Sequence, residues 1–100
     1  MNIDEILRQA ALIVADELKA GYPGYRLFLF GSRAKGTGND KSDIDIGIIS
    51  DTRITGRQLL TIQEKLEQIP TLLKIDVVDF NSVDDEFKKI ALKHTQDIEI

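Results

Sequence analysis

Between residues 25 and 80, three short β-forming runs are set among segments of helical period, and that switching limits the fold more than any other feature of the chain. The runs are 25–30, rich in aromatics, 43–49, where Ile44, Ile46 and Ile48 alternate with Asp43 and Asp45, and 72–80. Ile3, Ile6, Leu7, Ala10, Ile13, Val14 and Leu18 recur at steps of three and four and predict an amphipathic helix over 3–19. Asp4 and Glu5 suit its positive end, Gly21 stops it and Pro23-Gly24 turns the chain. Residues 25–30 read as a central strand buried on both faces. A polar stretch, 31–41, has room for one helical turn at its start. A second helix is expected over 57–69 with Leu59, Ile62, Leu66 and Ile69 as its stripe and Pro70 as its stop. Ser82 followed by Asp85 resembles a capping box opening a last helix to about Lys93, with Phe87, Ile90 and Ala91 on one face. Ile98-Glu99-Ile100 alternates over too short a span to assign. The expected class is α/β: a mixed sheet flanked by helices, one domain over 1–100 without repeats or linkers.

A hundred residues bury a modest core, so a partner is expected to complete either the stability or the substrate site. Cysteine is absent, which excludes thiolate nucleophiles and cysteine-ligated zinc. Thirteen basic and 17 acidic residues give a formal charge of −4, which argues against a broad nucleic-acid surface. The amino end lacks the basic-then-apolar pattern of a signal peptide, and no run approaches the roughly 18–20 apolar residues of a membrane span. A soluble cytoplasmic protein is the expectation.

Gly31-Ser32 directly follows an apolar strand. Gly31 permits close approach of a ligand to the backbone, and Ser32 offers a hydroxyl and an N–H. If a helical turn begins there, its free N–H groups favour phosphate, with Arg33 and Lys35 as nearby cations. Taken alone, such a pair is an ordinary turn, and neither the P-loop spacing nor a dinucleotide fingerprint is present.

Asp43 and Asp45, two apart on a strand, point the same way about 6–7 Å apart along the chain. Their carboxylates can converge on one cation or on two held about 4 Å apart; without a cation they repel. The plain alternative is an acidic solvated face. Asp76, between Ile75 and Val77 in the third run, is costly to bury unpaired. A metal shared with Asp43 and Asp45 would account for it, and so would a salt bridge to a lysine or arginine. Asp79 falls on the opposite face and reads as a local backbone acceptor. His94 reads as a helix-end or solvent residue, and Tyr22 and Tyr25 as core or rim packing, with base stacking the alternative.

Gly31-Ser32-Arg33-Ala34-Lys35-Gly36, then Ser42-Asp43-Ile44-Asp45-Ile46, then Asp76 together resemble the minimal nucleotidyltransferases, the small branch of the DNA polymerase β superfamily. The likeness covers essentially the whole chain, with Lys35 where an arginine is common. The resemblance implies the nucleotidyltransferase fold, with Gly31, Ser32 and Arg33 at the nucleotide and Ser32 on its terminal phosphates. It implies that Asp43, Asp45 and Asp76 bind magnesium, two ions in all, with Asp76 also assisting deprotonation of the acceptor hydroxyl. The substrate it implies is ATP.

Larger relatives add an acceptor-binding domain for which this chain has no room. Proteins of this kind resemble the antitoxin half of a two-gene module whose partner is a helical HEPN protein with ribonuclease activity. In that branch AMP is added to a tyrosine of the toxin. The expectation is therefore protein adenylylation beside a HEPN partner, in a hetero-oligomer built around a homodimer. Two alternatives stay open: transfer to a small molecule or RNA end with a helical substrate-binding subunit, and a non-catalytic antitoxin that neutralises by binding.

Overall fold

Isoleucine at every second position from Ile44 to Ile48 forces one side of that segment against apolar neighbours, and the sheet is built around it. In this computed structural model, which describes residues 1–98, the elements run α1 (Ile3–Leu18), β1 (Arg26–Phe30), α2 (Ser32–Lys35), β2 (Ile44–Ile49), α3 (Gly56–Leu66), β3 (Ile75–Asp79), α4 (Asp85–Ala91) and β4 (Gln96–Asp97). The sheet order is β3-β2-β1-β4. β2 runs antiparallel to β1 and parallel to β3, and β4 adds two residues antiparallel to β1. The parallel pair requires a crossover, which α3 supplies.

Ile44, Ile46 and Ile48 share one face with Leu27, Leu29, Ile75 and Val77; Ile6, Ala10, Val14 and Leu18 of α1 and Ile62 and Leu66 of α3 join them in the main core. Glu17 accepts a hydrogen bond from Gln58 at 2.7 Å and pairs with Lys65, which ties α1 to α3. The opposite face carries a smaller aromatic core of Phe28, Phe30 and Phe80. Phe80 meets Phe28 and Phe30 edge-on, with ring centroids 4.8 and 5.0 Å away, and Phe87 of α4 lies 5.8 Å from Phe80. Gly47 makes this stacking fit, because a β-carbon there would fall 2.4 Å from the Phe28 ring. Among the described residues no helix is long and apolar enough to cross a membrane.

Element ends depart from the periodic reading for local reasons. β3 begins at Ile75, three residues later than expected, because its pairing starts where the Ile44 N–H meets the Lys74 carbonyl at 2.8 Å; Leu72 stands fully exposed in the preceding bend. α3 closes at Leu66 rather than at Ile69, its end tightened by the Gln68 and Ile69 N–H groups bonding three residues back. α4 is capped by Asp84, which accepts the Phe87 N–H at 2.7 Å, and not by Ser82, whose hydroxyl donates to Asp79. Ile98 donates its N–H to Leu27, while Glu99 and Ile100 lie outside the described residues.

Candidate active site

The Gly-Ser turn and the acidic strand meet through one contact. Gly31 lies at φ 78° and ψ −157°, and a β-carbon on it would fall 2.5 Å from Asp45 Oδ2. Only glycine holds that backbone comfortably and lets the carboxylate sit against it. Register explains the meeting: Phe30, the last residue of β1, pairs with Asp45, so the turn that follows β1 lands beside the Asp45 side chain.

From Gly31 the chain enters the single turn of α2, with Ser32 exposed at its start and Gly36 closing it in the left-handed conformation. The Thr37 and Gly38 N–H groups both bond back to the Ser32 carbonyl, at 3.1 and 3.0 Å. Arg33 then fastens the loop. Its Nε donates to the Ser42 carbonyl at 2.9 Å and its Nη2 to the Asp40 carbonyl at 3.0 Å. The Asn39 N–H donates to the Ser42 hydroxyl and the Lys41 N–H to Asn39 Oδ1, both at 2.8 Å. These bonds fix Asp43 at the entrance to β2. Arg33 stands beside the turn, as the sequence places it, but two of its donors serve this loop.

Asp45 and Asp76 are register partners on adjacent parallel strands, which lie about 4.8 Å apart. Asp43 is exposed just before β2, and both Asp45 and Asp76 are partly exposed. Burial, then the charges of Asp76 and Asp43, push the Asp45 carboxyl above its ordinary range, with Lys74 opposing. The three carboxylates therefore share one field. The salt-bridge alternative for Asp76 is also realised, since Lys74 Nζ lies 3.6 Å from its Oδ2. That pair is largely exposed, 69 % and 37 %, and holds Asp76 weakly. β3 is the sheet edge, so Asp76 escapes the burial its apolar sequence neighbours suggested.

Among the described residues no three acidic or histidine side chains close into a metal-ligand cluster, consistent with Asp76 leaning toward Lys74. The donor set fits a hard divalent cation all the same. Its ligands would be carboxylate oxygens, which repel one another through Asp45, and a bound cation would replace Lys74 as the positive partner of Asp76.

Asp79 has a separate task. Buried on the helix-covered face, it accepts from the Ile54 and Asn81 N–H groups and the Ser82 hydroxyl at 2.8–3.0 Å. Tyr22 and Tyr25 pack against the main core on that same face, and the Tyr22 hydroxyl accepts the Thr55 N–H, so neither stacks beside Asp45. The sequence reading missed a groove in which Phe87, Ile90 and His94 face Gly31 and Ser32. Its signal was apolar residues on α4 that find no complete burial.

Residues 25–98 match the family described as polymerase beta, nucleotidyltransferase. The chain belongs to the polymerase β nucleotidyltransferase family. Over 89 residues this nucleotidyltransferase is 27 % identical to a Haemophilus influenzae protein named "Probable protein adenylyltransferase MntA", covering 89 % of the chain and 78 % of that relative. Its fold matches a crystal structure described as a toxin-antitoxin with AMP-PNP, at TM-score 0.67 and 21 % identity over 88 % of this chain and 71 % of the other. It also matches a structure described as a tri-AMPylated Shewanella oneidensis HEPN toxin in complex with MNT antitoxin, at TM-score 0.63 and 17 % identity over 93 % and 71 %. Both likenesses concern the fold: a mixed four-stranded sheet with helices.

Proposed function

We propose that this nucleotidyltransferase, acting as one domain, transfers AMP from ATP to a protein hydroxyl, the tyrosine of a cognate HEPN toxin, and so serves as its antitoxin. The observation that carries the reading is the position of Asp45, packed against Gly31 on one side and in register with Asp76 on the other. One side chain thereby joins the turn suited to phosphates with the acidic pair suited to the reacting end. The named adenylyltransferase relative and the folds of the two toxin–antitoxin structures support the choice of acceptor.

In this reading the Ser32 hydroxyl and N–H hold the terminal phosphates, and Gly31 lets them approach the backbone. Asp43, Asp45 and Asp76 would hold magnesium. When bound, it neutralises phosphate oxygens and lowers the pKa of the incoming hydroxyl. Asp76, at the open edge of the sheet, accepts the proton from the acceptor hydroxyl. The acceptor oxygen bonds to the α-phosphorus as the bond to pyrophosphate breaks on the opposite side, and the fixed turn keeps the two in line. Arg33 acts behind them, fixing Asp43 at the entrance to β2.

Co-expression with the adjacent helical protein, followed by intact-mass measurement, tests the proposal. The partner should gain AMP beside the parent chain and gain none beside Asp76→Asn. An unmodified partner in a stable, inactive complex would replace catalysis with neutralisation by binding, and label found on RNA ends would move the acceptor to nucleic acid.

A further inference from the structure

Beside the Gly31-Ser32 turn a groove of about 640 Å³ opens between the end of β1 and α4. One wall is Gly31, Ser32, Lys35 and Thr37; the other includes Phe87, Ile90 and His94. The second wall is apolar and left partly bare, Phe87 being 42 % and Ile90 62 % exposed. Phe87 reaches the aromatic core from this wall, its ring centroid 6.2 Å from that of Phe30 and 5.8 Å from that of Phe80. On a chain of net charge −4, none of the groove's lining residues is acidic, and Lys35 and Lys93 stand in its wall.

We infer that this groove receives the nucleoside half of the nucleoside triphosphate, its base against Phe87 and Ile90 and its phosphates running over Ser32 toward Asp45. The inference rests on the reading that Gly31-Ser32 holds the phosphates, and three observations carry it further. Gly31 lines the groove and also touches Asp45, so one ligand spanning both needs no break in contact. The volume lies within the roughly 300–1,000 Å³ of small-molecule sites. Bare apolar surface flanked by lysines, free of carboxylates, complements a ligand with a flat ring at one end and negative charge at the other. The polar side chains that line the groove are all exposed, so no buried side chain reads the base edge. ATP and GTP should therefore bind within about 200-fold of each other, the limit for a pocket that selects by shape alone.

Calorimetry on the full chain with magnesium, using ATP, GTP and inorganic tripolyphosphate, separates the two halves of the ligand. Ile90→Gln alters an exposed side chain and should leave the melting temperature unchanged. It should weaken ATP about ten-fold and tripolyphosphate less than about two-fold. The Ile90 methyl resonances of the unaltered chain should shift with ATP and stay still with tripolyphosphate. Equal losses for both ligands, methyls silent to ATP, or a preference above about 200-fold for one base would overturn the inference. Methyls that respond to the helical partner and not to ATP would make the groove a protein interface instead. If the unaltered chain binds neither ATP nor tripolyphosphate, the phosphate reading of Gly31-Ser32 itself fails and the groove assignment falls with it.

Discussion

Replacing Gly31 by alanine probes the contact on which the site depends. Its backbone, at φ 78° and ψ −157°, lies in a region that is essentially glycine's alone and costs another residue about 1–3 kcal/mol. At 2.5 Å from Asp45 Oδ2, the new β-carbon would also be about 1 Å short of an ordinary non-bonded separation. For a domain of this size the backbone penalty lowers the melting temperature by roughly 5–20 °C. The collision moves the Asp45 carboxylate by about an ångström, a displacement that can cost about 100-fold in rate. Gly36→Ala is the control: φ there is 82°, so the backbone is strained, yet nothing lies within 4 Å of the added carbon. It should lose stability and keep its rate. Thermal melts and single-turnover transfer from labelled ATP, run on both variants below their transitions, read the two effects apart. A Gly31→Ala protein with parental melting and parental rate would refute both the strain and the contact. Equal rate losses in the two variants would refute the special role of Asp45.

Three further outcomes follow from the same geometry. Arg33→Lys should lower kcat about ten-fold with KM for ATP nearly constant, because one ammonium cannot span the Ser42 and Asp40 carbonyls; a rise in KM alone would place Arg33 on phosphate instead. Asp79→Asn should lower stability by about 1–3 kcal/mol in urea titrations while the transfer rate stays within about two-fold, since Asp79 serves Ile54, Asn81 and Ser82 and not the site. The raised pKa of Asp45 means the native state holds that proton more tightly than the unfolded chain. Its favourable contribution is complete below the unfolded carboxyl pKa and is lost as pH rises through the folded value. In chelator, Asp45→Asn should therefore melt at or above the parent at neutral pH, with the advantage shrinking as pH falls into the carboxylate range. The opposite slope in melts against pH would contradict the assignment.

Periodicity reveals elements well because burial on one face is a property of each segment alone. It placed α1, β1, β2 and α3 and the opposed directions of Asp76 and Asp79. It fails where partners decide. β3 starts at Ile75 because β2 offers no earlier mate, and a hydrophobic run of sequence cannot show that. Phe87 and Ile90 share a helical face, as expected, but α4 is short and the sheet below it is already occupied by Phe28, Phe30 and Phe80, so that face stays partly open. Strand alternation set the direction of Asp45 locally, whereas the burial expected of Asp76 did not hold at the sheet edge, and its meeting with Asp45 comes from the β2–β3 register, which no single segment shows. The clamp of Arg33 on residues 40–42 was not legible, because a cation beside a Gly-Ser turn looks the same whether it meets phosphate or carbonyl.

The central claim, nucleotidyl transfer to a protein, is tested most directly by the position of the label in ATP. The chain is incubated with magnesium, the proposed helical partner and ATP labelled at either the α- or the γ-phosphorus. Label should pass to the partner from the α position only, and not at all with Asp45→Asn. Transfer from the γ position, or none from the α position in a complex that still forms, would contradict it.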